Sequence, residues 1–186
     1  MTLLPLWLPI LLTAIGVFFA SSLIHMVFKW HNSEYRALPN EDEVRNALGS
    51  VKLNPGLYST PHCTDMKDIQ TDAMQQKFRD GPVALITIRA PGAPTMGKYL
   101  LQWFILNLVI AALAGALALQ AYGINTNAHA AGHFVGLFSM IAYACGSVQE
   151  SIWMGRPWSA TFKNILDAFI YGAVSAVIFW QFWPTY

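Results

Sequence analysis

Charge is scarce in this sequence. Only 11% of its 186 residues are Asp, Glu, Lys or Arg, against about 25% in an ordinary soluble domain. A formal charge of +1 and the lack of any Lys/Arg-rich run offer nothing for nucleic acid to bind, so no nucleic-acid partner is expected. Cysteine is scarcer still. Cys63 and Cys145 stand far apart and form no CxxC pair, which points away from a disulfide framework. There is no Walker loop, GxGxxG, HExxH or GxSxG motif, and no CaaX box or polybasic tail. No catalytic constellation is recognisable.

What the chain has instead is apolar surface. Hydrophobic residues make up 55% of it, with seven Trp, seven Tyr and eleven Phe. A core of this size absorbs so much only if lipid covers part of it. Four apolar runs account for it: Leu3–Phe28, Tyr99–Tyr122, Ala130–Val148 and Ile165–Trp183. About 20 such residues cross a bilayer core as a helix. The first run has no preceding positive charge and continues past Ala20-Ser21-Ser22, so it reads as a retained helix and not a signal peptide.

The cations set an orientation. Nine of the eleven Lys and Arg lie between the first two runs, and Arg156 and Lys163 lie between the last two. Both loops fall on the cytoplasmic side if the chain has four spans with both termini outside. Trp30, Trp103, Trp153 and Trp158 would then mark the inner interface, and Trp7, Tyr122, Trp180 and Trp183 the outer one. The expected architecture is an all-α membrane protein: helix 1 over residues 1–28, a small cytoplasmic α+β cap over 29–98, and helices 2–4 over 99–186.

In the cap, Asn40 followed by Glu41-Asp42-Glu43 predicts a helix start with a capping box. Asp72–Arg79 predicts a second helix, stopped by Gly81-Pro82. Val83–Arg89 reads as a strand, with Leu57–Thr60 as its partner. Small residues line one face of the later spans: Ala111 to Ala118 on the second, Gly132 and Gly136 on the third, Ala168, Gly172 and Ala176 on the fourth. Such faces allow close helix packing, within the bundle or against a second copy or another membrane subunit.

Sorted by depth, the histidines form two groups. His25 lies one turn inside the inner end of helix 1, His31 and Glu34 follow just beyond it, and His62-Cys63 sits in the cap. Imidazole and thiolate donors suit zinc or copper, and Glu34 adds an oxygen. The plainer alternative is hydrogen-bonded interfacial histidines and a small apolar cysteine. His129 and His133, at the outer end of the third helix, share one helix face at i, i+4. They supply two ligands at most. A third feature is the Ser151–Ser159 segment, where Arg156 lies between Glu150 and Asp167. Ionisable groups near hydrocarbon face protein or water, so these three are either ion-paired structure or the wall of a pocket.

The chain resembles a family of small bacterial inner-membrane proteins without assigned function. The likeness rests on Ala20-Ser-Ser-Leu-Ile-His25-Met, Trp30-His31 through Pro39-Asn-Glu-Asp42, Pro61-His62-Cys63, Met96-Gly-Lys98 and Ile152-Trp-Met-Gly-Arg-Pro-Trp-Ser159. It implies a bacterial inner-membrane location and transfers no activity. The first expectation is therefore a non-enzymatic accessory or assembly subunit. The alternatives are a metal- or cofactor-binding membrane protein using the inner His/Cys cluster, and a small transporter using His25, Arg156 and Asp167.

Overall fold

The computed structural model describes residues 3–125 and 127–184. Four helices in it are long and apolar enough to cross a membrane: Leu4–Phe28, Met96–Tyr122, Ala128–Met154 and Trp158–Phe182. The first is composite. A 3-10 turn, Leu4–Leu6, leads into α1 (Trp7–Ser22), which continues as a π-helical stretch, Leu23–Phe28. The others are α5 (Met96–Tyr122), α6 (Ala128–Met154) and α7 (Trp158–Phe182).

The chain divides into two compact units. One holds the segments up to Arg36 and from Thr95 onward, and the other is Ala37–Pro94. The second unit contains α2 (Glu41–Ser50), α3 (Met66–Ile69), α4 (Asp72–Asp80) and a two-stranded antiparallel sheet. Its strands β1 (Gly56–Thr60) and β2 (Ala84–Ile88) pair with Tyr58 opposite Ile86. This is the strand pair the apolar pattern predicts. The expected capping box at α2 does not form. Asn40 adopts a left-handed conformation, φ 52°, and its side chain accepts no bond from the helix; the Glu43 N–H bonds the Asn40 carbonyl instead. The second unit starts at Ala37 and not at residue 29 because Trp30–Glu34, a 3-10 turn, is tied to α7.

In the helical unit, the half nearest the Gly123–Asn127 connection is closed by a dry core. Leu6, Ala114, Ala118, Val135 and Phe179 are fully buried there. Large apolar side chains such as Phe19, Leu137, Phe169 and Val177 point outward and are more than half exposed. A soluble domain rarely tolerates such continuous apolar surface, whereas lipid covers it without cost.

α6 and α7 pack closest. A Cβ added at Gly136 would lie 2.6 Å from Ala176 Cβ and 2.8 Å from the Gly172 carbonyl. One at Gly172 would lie 2.7 Å from the Gly136 carbonyl. The glycines thus face each other, and the small-residue faces of both helices are used on one another. At the other end, Gly155 takes φ 68° and ends α6, Pro157 follows, and α7 begins. Only glycine adopts that left-handed conformation without strain. The tight reversal holds Glu150, Arg156 and the start of α7 together.

Gly136→Ala overpacks this seam and should cost about 1–3 kcal/mol. Gly146→Ala, whose added Cβ meets nothing within 4 Å, should be neutral or slightly stabilising. Thermal unfolding in mild detergent separates the two, and equal melting temperatures would refute the seam.

Candidate metal centre

The site is built where helix 1 ends. The Lys29 N–H reaches back to the Ile24 carbonyl, at 2.8 Å, which closes the widened π-helical turn. Lys29 itself is left-handed, φ 55°. A non-glycine residue in that region carries strain, and π-turns recur at functional sites. The widened turn brings the His25 ring parallel to that of His31, with centroids 4.7 Å apart and planes at 3°. His25 Nδ1 lies 2.9 Å from the Ser21 carbonyl. A carbonyl only accepts, so Nδ1 carries the proton and Nε2 keeps its lone pair.

His31 bridges two carboxylates. Its Nδ1 contacts Glu34 Oε1, and its Nε2 lies 2.7 Å from Asp167 Oδ2. All three side chains are nearly sealed, His31 at 12%, Glu34 at 8% and Asp167 at 7% exposed. The other Asp167 oxygen accepts from Trp30 Nε1 at 3.1 Å. Lys163 Nζ donates to the Trp30 carbonyl at 2.6 Å and to Ser33 Oγ at 2.7 Å, which fixes the turn that carries Trp30 and His31.

Arg156 holds the far side. It donates to Glu34 Oε2 at 3.0 Å and to Glu150 Oε2 at 2.6 Å. Burial raises the Glu34 carboxyl, but the hydrogen bonds and charges of His31 and Arg156 outweigh it and keep the group below its ordinary value. Burial likewise disfavours the charged Arg156 guanidinium, and its bonds to Glu150 and Glu34 more than offset that, so it is raised. Glu34, Glu150 and Asp167 bring three formal negative charges and Arg156 and Lys163 two positive ones, although Lys163 bonds the Trp30 carbonyl and Ser33 and not a carboxylate. One negative charge remains, to be offset by a proton on His31 or by a bound cation.

Among the described residues, one group of three metal-binding side chains converges: His25, His31 and Asp167, with one donor atom from each inside 4.8 Å of the others. Two ligands held at 2.0–2.1 Å in a tetrahedral shell lie roughly 3.3 Å apart. To complete the set, the exposed His25 ring would turn out of its stack and approach by up to about 1.5 Å, while the His31–Asp167 pair, at 2.7 Å, would open slightly.

Each of the expected residues has a definite place. Glu34 does not point to the donor group; it accepts from the far nitrogen of His31, as the outer carboxylate does in a carboxylate–histidine–metal triad. Arg156 pairs with Glu150 and Glu34, while Asp167 pairs with His31 and Trp30. His62 and Cys63 belong to the second unit, where His62 Nδ1 lies 2.9 Å from Ser59 Oγ and Cys63 Sγ donates to the Asp65 carbonyl at 3.1 Å. His129 and His133 contact each other, Nε2 to Nε2, at 3.2 Å, at the opposite end of α6. Asn107 accepts from the Tyr143 hydroxyl at 2.9 Å, an interhelix bond as its position suggests. From sequence, Asp167 is grouped with His25 and Arg156 as a transporter alternative, and is not joined to His31 as a ligand set. Its signal was an acid inside an apolar run, which had to face protein or water.

Searches against protein-family models, curated proteins and solved structures find no match for this chain.

Removing either end of the buried Arg156–Glu34 pair strands its partner. Arg156→Ala and Glu34→Gln should each cost about 2 kcal/mol or more. The double variant should lose less than the sum, by a coupling of about 0.5–3 kcal/mol. Unfolding of the four proteins in detergent measures this, and strict additivity would show the pair is not coupled.

Proposed function

We propose that this chain is a multi-pass metalloprotein of the bacterial inner membrane that binds one divalent transition-metal ion through His25, His31 and Asp167. The observation that carries this reading is that every donor already has its own orienting partner. His25 Nδ1 is held by the Ser21 carbonyl, His31 Nδ1 by Glu34, and Asp167 Oδ1 by Trp30. That outer layer of hydrogen bonds fixes tautomer and ring direction in metal sites. The remaining donors are His25 Nε2 and the His31 Nε2–Asp167 Oδ2 pair, whose mutual hydrogen bond the ion would replace.

Two imidazoles and one carboxylate suit zinc or non-haem iron(II). Three protein ligands keep at least one coordination position open, which is the arrangement of reactive metals and not of structural ones. The bound ion would act on a molecule or a water at that position. By the distribution of Lys and Arg, the centre lies at the cytoplasmic interface, with the termini outside and the 37–94 unit in the cytoplasm.

Two rival readings are less well supported. The accessory-subunit reading rests on small size, four spans, small-residue faces and the lack of a catalytic motif, and of these the faces of α6 and α7 are used on each other. A transporter needs a path across, and the dry core around Phe179 and Val135 closes the far half of the bundle.

Gently purified protein should contain about one equivalent of zinc or iron. His25→Ala, on an exposed side chain, should keep the fold and weaken the metal at least tenfold. Asp167→Asn should abolish binding, and Cys63→Ala should leave it intact. Elemental analysis with circular dichroism on the same samples decides this. Folded wild-type protein that takes up no metal from a zinc- or iron-supplemented buffer would refute the proposal.

A further inference from the structure

We infer that the donor group serves a single-chain lipid with an anionic oxygen-bearing head, whose tail lies in a cavity along α5. This rests on the metal reading and names what the open coordination position faces. His25 and Asp167 form one wall of a cavity of about 690 Å³ bounded by α1, α5, α6, α7 and the π-helical stretch. This is the size of ordinary small-molecule sites, about 300–1,000 Å³. Its lining on α5 runs from Met96 to Ile110, a rise of about 21 Å at 1.5 Å per residue. Spread evenly over that length, the volume would give a mean bore of about 6 Å, wide enough for one hydrocarbon chain.

Chemistry along the cavity is mixed. The α5 wall is apolar through Leu100, Leu106 and Ile110. Leu100 and Leu106 are 44% and 45% exposed, on a helix apolar enough to cross a membrane. The cavity therefore opens sideways at the depth where lipid chains lie. Polar side chains share the lining, Tyr99 and Trp103 on α5 and Tyr143, Asn164 and Asp167 on the facing helices. The indole N–H of Trp103, on the same wall, has no hydrogen-bond partner among the described residues. It is a ready donor to a head-group oxygen. Charge points the same way. A divalent ion converts the cluster's one excess negative charge to one positive charge, which favours an anionic ligand at the open position. A water-soluble substrate would make no use of a lateral apolar opening 21 Å long.

The test uses the full-length protein in nanodiscs with a long-chain fatty acid carrying a diazirine on its tail. Metal content is read on every sample. The expected result is photolabelling concentrated on the 100–110 stretch of α5, competed by unlabelled fatty acid and reduced at least fivefold by chelation of the metal. Leu106→Trp, which fills the cavity, should keep its metal and lose labelling to a similar degree. Labelling spread evenly over the outward-facing helices, or unchanged in Leu106→Trp with metal retained, would overturn the lipid inference and leave the metal reading standing. Metal-free wild-type protein would mark failure of the metal reading itself. Label competed by a phosphodiester lipid but not by fatty acid would overturn the single-chain assignment.

Discussion

The contact between His31 and Asp167 is the constraint on which the charged end of this protein depends. It joins the turn after the first helix to α7 across 136 residues of sequence. Both partners are nearly sealed from solvent, and a buried carboxylate is tolerated only with a hydrogen-bonding, charge-offsetting neighbour. The rest of the end is arranged around that requirement. Trp30 satisfies the second Asp167 oxygen, Glu34 takes the other His31 nitrogen, Arg156 neutralises Glu34, and Glu150 completes the guanidinium. Lys163 clamps the turn that presents Trp30 and His31.

The same constraint underlies the proposed metal site. In the structure His31 Nε2 and Asp167 Oδ2 are hydrogen-bonded at 2.7 Å. A divalent ion between them would use the same two atoms, add His25 and leave the cluster with one excess positive charge. The bonds of Glu34 to His31 and of Trp30 to Asp167 already hold these two side chains from behind. The open side then faces a cavity whose long wall is apolar, so the chemistry of the site and its place in the bundle point to one kind of ligand. At the other end the bundle is sealed by apolar packing, and that asymmetry favours a site over a passage.

Much of the scaffold was legible. The four spans follow from apolar runs, and the β1–β2 pair from branched residues. The helix ends were not. α6 runs on through Gln149 and Glu150 to Met154, and α7 starts at Trp158, seven residues before its apolar run. Backbone hydrogen bonding continues where hydropathy stops, and those polar turns carry the site. The proposed donor set was half legible. Residue chemistry singled out His25, His31, Glu34, His62 and Cys63, and the first two of these belong to the proposed set. It could not show that Glu34 supports His31 from behind, or that Asp167 stands in front. Those roles depend on the π-helical turn and the left-handed Lys29, which no local sequence signal announces.

The central claim is that two histidines and one aspartate, with no sulfur, hold the ion. X-ray absorption at the metal edge of the purified protein reads this directly. The account predicts a first shell of nitrogen and oxygen at about 2.0–2.1 Å, with the outer-shell pattern of two imidazoles. A sulfur scatterer near 2.3 Å would assign the ion to a cysteine and contradict the account.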